Sequence, residues 1–93
     1  MSFYRKRPVV VEAFRWTGGP DQTEDPVWIV DAIKAQKAIV VPGEDPEFHL
    51  WDADMKRWVI ALPGWWIIKG VKNEIYPCEP SVFEASYVEV TDG

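Results

Sequence analysis

Thiol and imidazole chemistry is almost missing from this sequence, in which Cys78 is the one cysteine and His49 the one histidine. A lone thiol excludes an internal disulfide and gives no support for an oxidising compartment. The same scarcity disfavours a protein zinc site, which draws several ligands from cysteine, histidine and carboxylates. Long apolar runs are missing too: none approaches the roughly 20 residues of a membrane-spanning helix. The opening Met1-Ser2-Phe3-Tyr4-Arg5-Lys6-Arg7-Pro8 contains no apolar stretch of the secretory type. The expectations are therefore no membrane partner and a cytoplasmic location. Positive charge is also short, since 10 Lys and Arg stand against 15 Asp and Glu for a net charge of -5. Duplex nucleic acid repels such a surface unless its cations gather on one face, so duplex binding is disfavoured. No phosphate-cradling glycine loop is present, because Gly18-Gly19 runs into Pro20 and acidic residues.

What remains is the material of an ordinary folded domain. Hydrophobic residues make up 47% and charged residues 27%, which separates the chain from disordered sequences. Its 93 residues suffice for one hydrophobic core and not for two, so a single domain is expected over 1–93. In so small a domain each large side chain weighs heavily, and six tryptophans meet that need.

Pro8 to Trp16 is a β-branched run that becomes alternating and predicts a strand. Asp25-Pro26 is a helix-start signal, and a helix is expected to about Gln36, with Ile29, Val30 and Ile33 on one face. Ala38 to Val41 predicts a short strand closed by Pro42-Gly43. Phe48 to Trp51 and Arg57 to Leu62 alternate on either side of a polar loop and predict a hairpin. Trp65-Trp66-Ile67-Ile68 is apolar on both faces, the mark of a central strand covered on each side. Gly70 to Asn73 predicts a second tight turn, leading into Glu74-Ile75-Tyr76, with Pro77 ending regular pairing. Pro80 to Phe83 fits a single helical turn, Ala85 to Val90 a last strand, and Thr91 to Gly93 a frayed end. Together these predict a small α+β domain: one strongly twisted antiparallel β-sheet, open or partly closed into a barrel, with one packed α-helix.

Two stretches carry a family resemblance: Tyr4-Arg5-Lys6-Arg7-Pro8-Val9-Val10-Val11-Glu12-Ala13-Phe14-Arg15-Trp16, and the run from Pro63 through Tyr87 with Gly70-Val71-Lys72-Asn73-Glu74-Ile75-Tyr76-Pro77-Cys78 at its centre. Both resemble a family of small, functionally uncharacterised proteins encoded by bacteriophages and prophages. The likeness spans both ends and leaves the middle uncovered. Trp65 departs from it, standing where an acidic or polar residue is expected, and Asn73 stands where glycine is usual. The resemblance implies an accessory role inside a bacterium and supplies no catalytic residue.

Among chemical constellations, Cys78 with His49 is the one thiol-based catalytic pair this chain can assemble, and the structural reading of both residues is preferred. Asp52 and Asp54 read as a solvated turn ahead of a cation site. No cofactor and no enzymatic activity are expected. Aromatic and cationic residues share segments: Trp65, Trp66, Lys69, Lys72 and Tyr76 in one predicted hairpin, and Arg5, Arg7 and Trp16 around the first strand. Such a set stacks a planar ring and neutralises its phosphate, which predicts a non-enzymatic module for a small anionic, nucleotide-like ligand. The alternative partner is a bacterial host protein held by an exposed aromatic anchor, and a homo-oligomer suits the same residues. Burial in the core is the plain reading of the tryptophans. Because adjacent strand residues point to opposite faces, one of Trp65 and Trp66 is expected at a surface unless the sheet is covered twice.

Overall fold

The alternation on either side of the polar loop at 52–56 pairs as a hairpin of β3 (Glu47–Asp52) and β4 (Arg57–Ala61) in the computed structural model, which describes residues 1–5, 8–22 and 24–90. The loop is closed by Asp52, whose Oδ1 accepts the N–H groups of Asp54 at 3.0 Å and Met55 at 3.1 Å. Strand β2 (Ala38–Val41) adds to β3, giving an antiparallel sheet of order β2-β3-β4. Its inner face carries Ala38, Phe48, Leu50 and Ala61, all buried.

A second antiparallel sheet has the order β1-β5-β6, from β1 (Glu12–Arg15), β5 (Trp66–Lys69) and β6 (Ile75–Cys78). The doubly apolar segment is its central strand, as its sequence requires. The turn between β5 and β6 places Asn73 at φ 64°, a conformation that costs β-branched residues most and glycine least. Asn73→Gly is therefore expected to leave stability within about 0.5 kcal/mol of the parent, while Asn73→Val loses about 1–2 kcal/mol, read by urea unfolding.

The two sheets and α1 (Val27–Lys34) enclose a hydrophobic cluster that includes Phe14, Trp16, Ile29, Phe48, Leu50 and Ile67. Strand β6 lies beside β3 and β4, which brings Ile75 onto this cluster. The other face of the β1-β5-β6 sheet has its own cover. Ile68 is fully buried there, outside the main cluster, and α2 (Pro80–Ser86) lays Phe83 on Trp66.

The fold is α+β, and it departs from expectation in detail. Two three-stranded sheets replace one continuous sheet, and no barrel closes. The segment after Pro80 is a two-turn helix, and Ala85 to Val90 forms no strand. Pro80 sits pre-set in the first turn, and Phe83 and Tyr87 are four apart, so their rings stack toward Trp66, which outweighs the weak alternation of 85–90. Pro77 does not end pairing but faces Ile67 inside β6, an edge strand where a missing N–H leaves no ladder gap. The first strand is Glu12–Arg15, while Pro8 to Val11 remain unpaired. The helix spans Val27–Lys34 without a side-chain cap from Asp25, and it buries Ile29 and Ala32 while Ile33 stays exposed. The expectation of a frayed Thr91 to Gly93 lies outside the described residues.

Candidate functional site

Strand alternation divides the aromatic hairpin between two faces. Trp65, Ile67 and Lys69 point one way, and Trp65 packs against the main cluster. Trp66, Ile68 and, through register, Tyr76 point the other way. Both tryptophans are half-buried, because the sheet is covered twice and neither indole is left on an open surface. Trp66 lies parallel to Phe83 with centroids 4.1 Å apart at 8°, and Phe83 continues to Tyr87 at 5.0 Å and 22°. The Tyr87 and Tyr76 hydroxyls meet at 3.3 Å. Burial and that hydrogen bond push the Tyr76 phenol well above its ordinary range. The Nε1–H of Trp66 is buried without an acceptor.

The cations expected beside these rings are elsewhere. Lys69 is half-buried on the Trp65 face, opposite Glu12 and Ile75, and Lys72 is exposed at the hairpin tip, where its backbone N–H donates to Glu74. Arg15 shares register with Trp66, but its Nε donates to the Gly64 carbonyl at 3.0 Å. Arg5 is exposed on the N-terminal segment, and Arg7 lies outside the described residues. Trp16 belongs to the core, 6% exposed and tilted against Phe48 at 5.2 Å. The seven described candidates are thus not gathered around one cavity.

Cys78 and His49 occupy different sheets. The thiol is raised above its ordinary value by burial and then by Glu79, which keeps it protonated and weakly nucleophilic at neutral pH. The Nε2 of His49 is 3.0 Å from Glu47 Oε1 on the outer side of β3. Among the described residues no group of three or more His, Cys, Asp and Glu side chains is placed to hold a metal ion, and no helix is long and apolar enough to cross a membrane.

Two other places combine exposure with chemistry. One is a groove of about 840 Å³ running along β1, between Val9 to Val11, the start of α1, and the Trp66-Phe83-Tyr87 stack. Its aromatic floor is flanked by the carboxylates of Glu12, Glu24, Asp25 and Glu89, and no lysine or arginine lines it among the described residues. Trp28 Nε1 is tied to Glu12 at 2.9 Å.

The other is the outer face of the β2-β3-β4 sheet. Register places Ile39, His49 and Ile60 side by side, with Trp51 opposite Trp58 in the next row of the same face. Ile39 is 45% exposed, Trp58 41%, Ile60 42% and Leu62 45%, and none of them belongs to the hydrophobic cluster. Trp51 and Trp58 meet edge to face at 5.3 Å and 64°. The inner face takes Phe48, Leu50 and the small Ala61, so the larger residues of β4 are turned outward. The apolar alternation of Trp58, Ile60 and Leu62 was the available signal, and only the register with Phe48 shows which side it occupies.

No family model matches the chain, and no curated protein or solved structure is significantly similar to it.

Proposed function

We propose that this protein is a non-enzymatic protein-binding module that docks a partner through the outer face of the β2-β3-β4 sheet. The observation that carries the reading is the uncovered row Ile39, Trp58, Ile60 and Leu62, with a paired tryptophan at its end. Water-exposed apolar side chains contiguous on one sheet face mark interaction surfaces, and tryptophan is the side chain that most often anchors them. The net charge of -5 favours a partner whose apolar patch is rimmed by basic groups. The resemblance of both chain ends to phage- and prophage-encoded proteins supports a bacterial host protein as that partner and the cytoplasm as the place of meeting. Capture of a small anionic ligand has less support, because the groove along β1 presents carboxylates and the candidate lysines lie away from the aromatic stack.

The test compares the parent with a Trp58→Ser, Ile60→Lys variant in affinity capture from bacterial lysate, followed by hydrogen exchange on the isolated complex. Both substitutions lie on an exposed face, so unfolding stability is expected to change by only about 1 kcal/mol. The expected result is a partner retained by the parent, lost by the variant, and protecting β2 to β4 amides. Equal retention by both proteins, or protection confined to other strands, overturns the proposal. A nucleotide-dependent rise in Tm that Lys69→Ala abolishes would restore the anionic-ligand reading.

A further inference from the structure

The groove along β1 has a chemistry of its own. Strand β1 is an edge of its sheet, paired to β5 on one side only; Gln22 Nε2 donates to the Arg15 carbonyl at one end, and the rest of the edge offers its backbone to an added strand. The groove is lined by every residue from Val9 to Phe14, so it follows this open edge and its unpaired extension. Its far wall, Val88 to Val90, belongs to no helix or strand, and Val88 is 89% exposed. The floor offers the aromatic side chains of Trp66, Phe83 and Tyr87. The walls offer four carboxylates with no lysine or arginine among the described lining residues. An occupant that matches all of this is an extended segment, basic and aromatic.

Such a segment exists in the chain itself. Phe3 is 90% exposed and Tyr4 93%, two aromatic rings with almost nothing over them, and Arg5 beside them is exposed too. In sequence they continue into Lys6 and Arg7, the densest positive run of an otherwise acidic protein. We infer that the groove of one protomer binds the N-terminal segment of a second copy, which adds as a strand to β1, brings Arg5 toward the carboxylates of Glu12, Glu24, Asp25 and Glu89, and places Phe3 or Tyr4 on the aromatic floor. Reciprocal exchange gives a closed two-fold dimer, in which each copy supplies one arm and one groove. The surface is separate from the outer face of the β2-β3-β4 sheet, so the dimer and the docking proposal stand or fall independently.

The test is sedimentation equilibrium of the full chain and two charge-reversed variants. One carries Arg5→Glu, Lys6→Glu and Arg7→Glu; the other carries Glu24→Lys and Glu89→Lys. The parent is expected to dimerise, with affinity falling as salt screens the contact. Each variant alone is expected to dimerise at least about tenfold more weakly. Mixed together they are expected to recover a heterodimer, because the acidic arm of one then meets the basic groove of the other and the reverse contact is kept. Each reversed residue described in the structure is exposed, and unchanged Tm values confirm that the variants are folded. A parent that is monomeric at every concentration overturns the inference, including one whose Trp66 emission still responds to the arm substitutions, since that marks docking within one chain. A dimer that survives both reversals and is lost with Trp58→Ser overturns it as well and assigns the contact to the other sheet.

Discussion

Phe48→Ala is expected to remove about 3–5 kcal/mol of stability, the largest effect of any single substitution discussed for this protein. Phe48 is 2% exposed on the central strand of the β2-β3-β4 sheet, its ring against Trp16 at 5.2 Å and its strand neighbours Val40 and Ala61 too small to close a void. Truncation removes the apolar burial of the ring and leaves a cavity between two sheets whose strands are held by their own ladders, so little collapse is available. Small domains have only about 5–15 kcal/mol of stability in all, so the variant should be substantially unfolded well below the melting temperature of the parent. Phe48→Leu keeps most of the volume and is expected to cost about 1.5 kcal/mol. Ile60→Ala, on the opposite face of the same sheet and 42% exposed, should cost clearly less than Phe48→Ala. Urea unfolding with a common m-value measures all three, and a loss below about 1 kcal/mol for Phe48→Ala would contradict the inner-face assignment.

Phe83→Ala is expected to cost about 2–3 kcal/mol and, in a background where the other five tryptophans are replaced by Phe, to shift the emission of Trp66 toward the red. Phe83 is half-buried, so its truncation falls below the value for a fully buried ring. Its effect is nonetheless larger than its exposure implies, because it is the middle ring of the stack between Trp66 and Tyr87, and α2 has no buried residue of its own to hold it in place. Losing the ring admits water to Trp66 and Ile68 and loosens the Tyr87 hydroxyl from Tyr76. Val82, next in sequence and 53% exposed, is the matched control, and Val82→Ala should change stability by no more than about 0.5 kcal/mol. A Phe83→Ala loss equal to that of the control, with Trp66 emission unchanged, would make α2 an appendage and leave the second face of the β1-β5-β6 sheet uncovered.

These two substitutions probe the two layers that decide which apolar faces are exposed. Phe48 pins the inner face of the β2-β3-β4 sheet, and by doing so sends Trp58, Ile60 and Leu62 outward. Phe83 covers the second face of the other sheet and converts the Trp66 side from an open platform into the floor of a groove. An exposed apolar sheet face and a carboxylate-walled channel thus arise from the same packing rule: each strand has two faces, and a domain of this size has apolar material for most of them but not for all.

The neighbouring pair Trp65-Trp66 shows how far alternation alone carries. It correctly separates the two indoles onto opposite faces, and the doubly apolar Ile67-Ile68 correctly marks β5 as central. It does not say whether the second face is covered, because the cover is Phe83 on a helix read from sequence as a single turn, and its contact with Trp66 joins elements separated by β6. Trp16 shows the same limit, since a tryptophan at the end of an alternating strand suits a ring-binding site or a core equally, and contact with Phe48 decides for the core.

What the amino-acid order settled by itself was local: the α+β class, the β2 strand over Ala38–Val41, both hairpins with their turns, the left-handed tolerance of Asn73, and a central β5. Each follows from side-chain period or from backbone restrictions at glycine, asparagine and proline, which act within a few residues. The tertiary structure alone decided that the strands form two sheets, that Ile39, Trp58, Ile60 and Leu62 face water, and that Glu12, Glu24, Asp25 and Glu89 share one groove. Those facts depend on register and on which faces meet, and residues 12 and 89 become neighbours of one cavity through packing that no local pattern encodes.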